Sequence, residues 1–71
     1  MNLVMLMRLD SSQGFFEMSD AMRVAGELQK HGVDAVAEAA PAADGVHGVH
    51  VFYIKVPEDQ LEKAKTIKLD V

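Results

Sequence analysis

The chain contains no cysteine and no tryptophan, and its 71 residues include one tyrosine and three phenylalanines. Without cysteine, disulfide bonds, thiolate metal sites and cysteine nucleophiles are excluded. No residue pattern marks an oxidising compartment, so the sequence predicts a cytoplasmic protein.

Basic residues are also scarce. Seven lysines and arginines against eleven aspartates and glutamates give a formal net charge of -4. This charge opposes binding to nucleic acid or to an anionic membrane surface. The apolar opening segment 1–7 lacks the features of a signal peptide, and a bilayer span needs about 20 apolar residues. We therefore expect no nucleic-acid partner and no membrane partner, and we interpret the segment as a buried strand.

What remains is an ordinary globular composition, with 49% hydrophobic and 25% charged residues. A chain of this length has room for one core, so residues 1–71 are predicted to form a single domain. Such a small domain buries only about 60% of the surface of its unfolded chain. A partner that covers apolar surface would therefore contribute appreciably to its stability.

The first half of the chain predicts a strand, a loop and a helix. Residues 3–9 are apolar except for Arg8, and because both alternating sets are apolar we expect a strand inside the sheet with both faces covered. Turn-forming residues begin the loop 10–18. The helix over 19–31 has Ser19 as its predicted N-cap and Gly32 as its left-handed stop. Its predicted apolar stripe comprises Ala21, Met22, Val24, Ala25 and Leu28.

The second half predicts two strands and a helix. Residues 33–39 alternate but end near Pro41, which indicates an edge strand, whereas the β-branched and aromatic segment 49–56 indicates a central one. A second helix begins after Pro57. The tail 67–71 fits either the end of that helix or a fourth strand.

This order predicts an α+β, ferredoxin-like βαββα(β) sandwich, in which two helices cover one face of an antiparallel sheet. The chain resembles a family of short bacterial signal-transducing proteins. The matching features are the apolar first strand, the segment Lys30-His31-Gly32-Val33-Asp34-Ala35 and the helix opening Val56-Pro57-Glu58-Asp59. The resemblance implies a minimal ferredoxin-like fold and no catalytic residue.

The first candidate site is an interaction loop formed by Gly14, Phe15 and Phe16. Exposed aromatic side chains at a loop tip are typical of recognition surfaces. In the alternative interpretation, at least one of the two phenylalanines closes over the core. His31, at the end of the first helix, is interpreted as a capping residue.

The second candidate site is a sheet surface with Phe52 and Ile54, or the alternate residues of the same strands, on the face that two helices leave uncovered. Arg8 and Lys55 are isolated charges in apolar strands. They either extend along the sheet or pair with Glu38 or with a partner's acidic group. This surface predicts binding to a protein partner or to a second copy, giving a homodimer.

A third pattern is the repeat around His47 and His50, which with Asp44 could hold Zn²⁺ or Ni²⁺. The simpler interpretation is one packed and one solvated histidine, so we predict no cofactor. The chain has none of the common nucleophile, phosphate-loop or metalloprotease motifs, and we predict that it is not an enzyme. Two alternatives to a protein-binding module remain. One is a small-molecule or metal sensor that uses loops 10–18 and 44–50, and the other is an accessory subunit or inhibitor of a larger enzyme.

Overall fold

A computed structural model describes residues 2–40 and 51–69. In chain order the elements are the strand β1 (Leu3–Asp10), the helix α1 (Met18–Lys30), the strands β2 (Val36–Ala39) and β3 (Val51–Pro57), and the helix α2 (Leu61–Lys65). Short 3₁₀ turns, Ser11–Gln13 and Glu58–Gln60, lie between β1 and α1 and directly before α2.

The three described strands form one antiparallel sheet in the order β1-β3-β2. The predicted α+β class and its antiparallel, ferredoxin-like sheet are confirmed, with β3 in the centre and β2 at an edge. The chain passes from β1 through α1 to β2 and returns along β3, so β1 and β2 run in the same direction on either side of β3.

The core lies between this sheet and the two helices. Side chains from α1, α2 and β3 belong to one buried cluster, which places both helices on the same face. The largest of its fully buried side chains are Leu28 and Val24 on α1, Ile54 and Val56 on β3, and Val33 in the segment between α1 and β2. In the described ranges every buried side chain is apolar or proline.

The prediction that β1 lies inside the sheet with both faces covered is wrong, because β1 is an edge strand of the described sheet and contains a β-bulge. Met5 pairs with Lys55 and Met7 pairs with Ile54, so Leu6 is an extra residue that has no pairing partner on β3. One extra residue shifts the alternation of side chains by one position. As a result Val4, Leu6 and Met7 all pack against the core, whereas Met5 is 55% exposed.

The helix α1 starts one residue earlier than predicted because Asp20, and not Ser19, organises its first turn. One carboxylate oxygen of Asp20 accepts the backbone N–H groups of Phe16 and Glu17, both at 3.1 Å. Glu17 is therefore the N-cap. At the other end Gly32 has φ of 84°, which is the left-handed conformation predicted for the helix stop.

The strand β2 begins at Val36, later than predicted, because Asp34 is hydrogen-bonded to Gln60 and not to a neighbouring strand. The Asp34 backbone N–H donates to Gln60 Oε1 at 2.7 Å, and Gln60 Nε2 donates to Asp34 Oδ2 at 3.1 Å. This reciprocal pair joins the end of α1 to the turn before α2. The tail after α2 is not a strand over residues 67–69, although Ile67 and Leu69 pack against the core.

Candidate interaction surfaces

The loop between β1 and α1 is organised by Asp10. Its carboxylate accepts the backbone N–H of Ser12 at 3.0 Å and also the Ser12 hydroxyl, while its own N–H donates to Gln13 Oε1 at 3.0 Å. Gly14 closes the turn with φ of 91°. A side chain is rarely accommodated at that angle, so glycine is favoured at position 14.

The two phenylalanines of the predicted interaction loop have opposite environments. Phe15 is 8% exposed and belongs to the core, whereas Phe16 is 56% exposed. Phe15 therefore closes over the core, as the alternative interpretation predicted for one of the pair. Phe16 is the aromatic side chain that the loop presents to solvent.

The charge of Asp10 is stabilised in the folded state. The hydrogen bond from the Ser12 hydroxyl, supported by the positive charge of Arg8, lowers the pKa of the Asp10 carboxyl below its usual value of 3.8. A lowered folded-state pKa adds stability at pH values above the unfolded-state pKa. That contribution is lost as the pH falls through the folded-state pKa.

We expect Asp10→Asn to reduce the pH dependence of the free energy of unfolding in the acidic range. Asparagine keeps the short side chain that caps the turn but cannot ionise. The free energy of unfolding, followed by urea titration between pH 2.5 and 6, should fall less steeply below pH 4 in the variant than in the parent. Asp59→Asn, at an exposed position before α2, is the matched control. Identical profiles for the parent and Asp10→Asn would contradict the prediction.

The face of the sheet opposite the helices is called the open face. Strand pairing places Met5, Lys55 and Val36 in one row across β1, β3 and β2, and Arg8, Tyr53 and Glu38 in the next. Leu3, Met5 and Val36 are respectively 45%, 55% and 39% exposed. The open face thus combines exposed apolar side chains with charged ones.

The sheet-surface prediction left two alternating sets of residues open, and the set that it named first is buried. Phe52 and Ile54 are 4% and 0% exposed, since both point into the core beneath the helices. Their neighbours Tyr53 and Lys55 occupy the open face instead. Side chains alternate along a strand, so the sequence defined the two sets but not which set the helices cover.

Charges on the open face are balanced within the face. Lys55 Nζ lies 2.8 Å from Glu38 Oε2, and Arg8 lies 3.0 Å from Asp10 Oδ2. The predicted pairing of Lys55 with Glu38 is therefore present within one chain. The four groups sum to zero, whereas the whole chain carries -4.

A second apolar surface was missed by the sequence reasoning. Met18 and Met22 are 36% and 60% exposed. They line a groove of about 320 Å³ between α1 and β2. Met22 was assigned to the buried stripe, but the buried side chains are those at positions 21, 24, 25 and 28. The helical spacing of those four positions could have predicted the exposure of Met22, because Met22 lies at the margin of the stripe that they define.

The proposed histidine site lies outside the described residues, since His47, His50 and Asp44 all fall within 41–50. His31 is exposed at the C-cap of α1, where the sequence placed it. Over 2–40 and 51–69 no three histidine or acidic side chains are grouped as metal ligands would be. Within the same ranges no helix has the length and apolar character needed to cross a bilayer.

Comparison with known proteins identifies no relative: no family model, no curated protein and no solved structure matches this chain.

Proposed function

We propose that the protein is a non-catalytic binding module that self-associates through the open face of its sheet. The observation that carries the proposal is the row formed by Met5, Lys55 and Val36, in which two exposed apolar side chains flank a cation that is already paired with Glu38. A second copy related by a two-fold axis would cover the apolar side chains.

Charge favours a second copy as the occupant. Two chains of net charge -4 repel each other. The charges of the open face sum to zero, so a contact through this face does not place excess negative charge at the interface. Each copy also presents both signs, which allows a two-fold arrangement to place Lys55 near an acidic group of the other copy.

Size limits the strength of this association. At about 3.3 Å per residue and about 4.8 Å between strands, the 8, 4 and 7 residues of β1, β2 and β3 give a sheet footprint of roughly 300 Å². Stable interfaces bury about 800 Å² per partner. The dimer is therefore expected to be weak and to depend on protein concentration.

Sedimentation velocity over a range from micromolar to millimolar protein tests the proposal. The weight-average mass of the parent should rise toward that of a dimer. Met5→Lys, which adds a cation to the open face, should keep the protein monomeric. Met22→Lys makes the same change at a similarly exposed position on α1, and it should associate like the parent.

Two results would refute the proposal. One is a parent protein that remains monomeric at millimolar concentration. The other is association that Met22→Lys abolishes and Met5→Lys leaves intact, which would place the contact at the groove between α1 and β2.

A further inference from the structure

A cavity of about 650 Å³ lies where β1 meets the loop before α1. This volume falls within the usual range of small-molecule sites, about 300 to 1,000 Å³. Its apolar lining comes from Met7, Leu9 and Phe15, of which the last two are buried core residues. One lining residue, Arg8, also belongs to the open face.

Both arginines of the chain line the same cavity. Arg8 on β1 and Arg23 on α1 are its only arginines, and the other five basic residues are lysines. The two residues line the cavity from different elements and are 15 positions apart in the sequence. Their side chains are 54% and 69% exposed, so they lie toward solvent while Leu9 and Phe15 form the buried part of the lining.

Each guanidinium is only partly engaged by the described residues. Arg8 Nη1 lies 3.0 Å from Asp10 Oδ2, and Arg23 Nη2 lies 3.5 Å from Asp20 Oδ1. A guanidinium has five N–H donors arranged in a planar fork that matches a carboxylate. One contact apiece leaves donors on both groups for a bound anion.

From this arrangement we infer that the cavity binds a small organic monocarboxylate with an apolar body. The carboxylate contacts Arg8 and Arg23, and the apolar body lies against Met7, Leu9 and Phe15. Asp10 and Asp20 balance the two arginines in formal charge. Since the four charges sum to zero, the preference comes from the apolar lining, which favours a ligand with an apolar body over phosphate.

The inference does not require the self-association proposed above. Arg8 belongs to both surfaces, and Arg23 separates the two because it lies on α1 and not on the open face. Titration of the full chain with octanoate, followed by ¹H–¹⁵N correlation spectra, is the direct test. Amide signals of Leu9, Gly14 and Phe15 should shift and saturate. Arg23→Gln should weaken binding roughly tenfold or more, because it removes a charge-assisted hydrogen bond.

Lys30→Gln is the matched control. Lys30 also lies on α1 and pairs with the acid three residues before it, Glu27, as Arg23 pairs with Asp20. It does not line the cavity, and its loss should leave octanoate affinity unchanged. Spectra of each variant without ligand establish that the fold is kept.

Octanol and inorganic phosphate complete the test by separating the apolar contribution from the charge contribution. Both should bind at least tenfold more weakly than octanoate. The inference is overturned if octanoate causes no saturable shift, if octanol binds equally well, if phosphate binds equally well, or if Arg23→Gln and Lys30→Gln have the same effect.

Discussion

Replacing Leu28 with alanine is expected to destabilise the protein by about 3 kcal/mol, because the buried leucine is lost and a cavity remains. Leu28 is fully buried on the face of α1 that meets the sheet. A domain of this length has a total stability of roughly 4 to 10 kcal/mol. The substitution should therefore remove a third or more of it. In urea the unfolding midpoint should fall by roughly 2 to 3 M, for a slope near 1 kcal/mol/M.

Met22→Ala is the control on the same helix. Alanine has high helix propensity at either position, but Met22 is 60% exposed and its removal leaves no internal cavity. Its effect should stay within about 0.5 kcal/mol. Equal losses for Leu28→Ala and Met22→Ala would mean that α1 is rotated about its axis relative to the described packing.

The second large effect is expected at Phe15, which lies outside regular secondary structure. Because its ring is 8% exposed and packs in the core, Phe15→Ala should cost about 3 kcal/mol. For a domain of this size that loss lowers the thermal midpoint by roughly 12 °C or more. Circular dichroism during heating measures it.

Phe16→Ala makes the same chemical change one residue later, where the ring is 56% exposed. Its thermal midpoint should remain close to that of the parent. If the two variants lost the same stability, or if Phe16→Ala lost more, the assignment of Phe15 to the core and Phe16 to the surface would be wrong.

Element type and order were predictable because each depends on local patterns. The spacing of Val24 and Leu28 predicts a helix face, and the left-handed stop at Gly32 follows from glycine's freedom at positive φ. The β-branched run in β3 likewise predicts a central strand. These signals act within a few residues and do not depend on the rest of the fold.

The buried face of the sheet was not predictable in the same way. Phe52 and Ile54 alternate with Tyr53 and Lys55, and both sets contain large side chains, so the pattern alone fits burial of either set. The bulge at Leu6 adds to the ambiguity, because an all-apolar strand gives no sign of where its alternation shifts. In the structure, side-chain burial shows which set faces the helices, and the pairing of β1 with β3 locates the bulge.

The convergence of Arg8 and Arg23 depends on tertiary structure alone. No short motif contains both residues, and each has an acid nearby in the sequence that explains it as a surface ion pair. Their shared cavity forms only when α1 and the loop before it are folded against the sheet. The position of Met22 at the margin of the helical stripe was, in contrast, already present in its spacing.

The bulge in β1 also bears on how large an assembly this chain can form. No other described strand pairs with the outer edge of β1, and a regular apolar edge can template the addition of further strands without limit. An extra residue at Leu6 bends and twists that edge, and the charge of Arg8 follows two residues later. Edge-to-edge growth into fibrils along β1 is thereby disfavoured, as the proposed assembly of two copies requires.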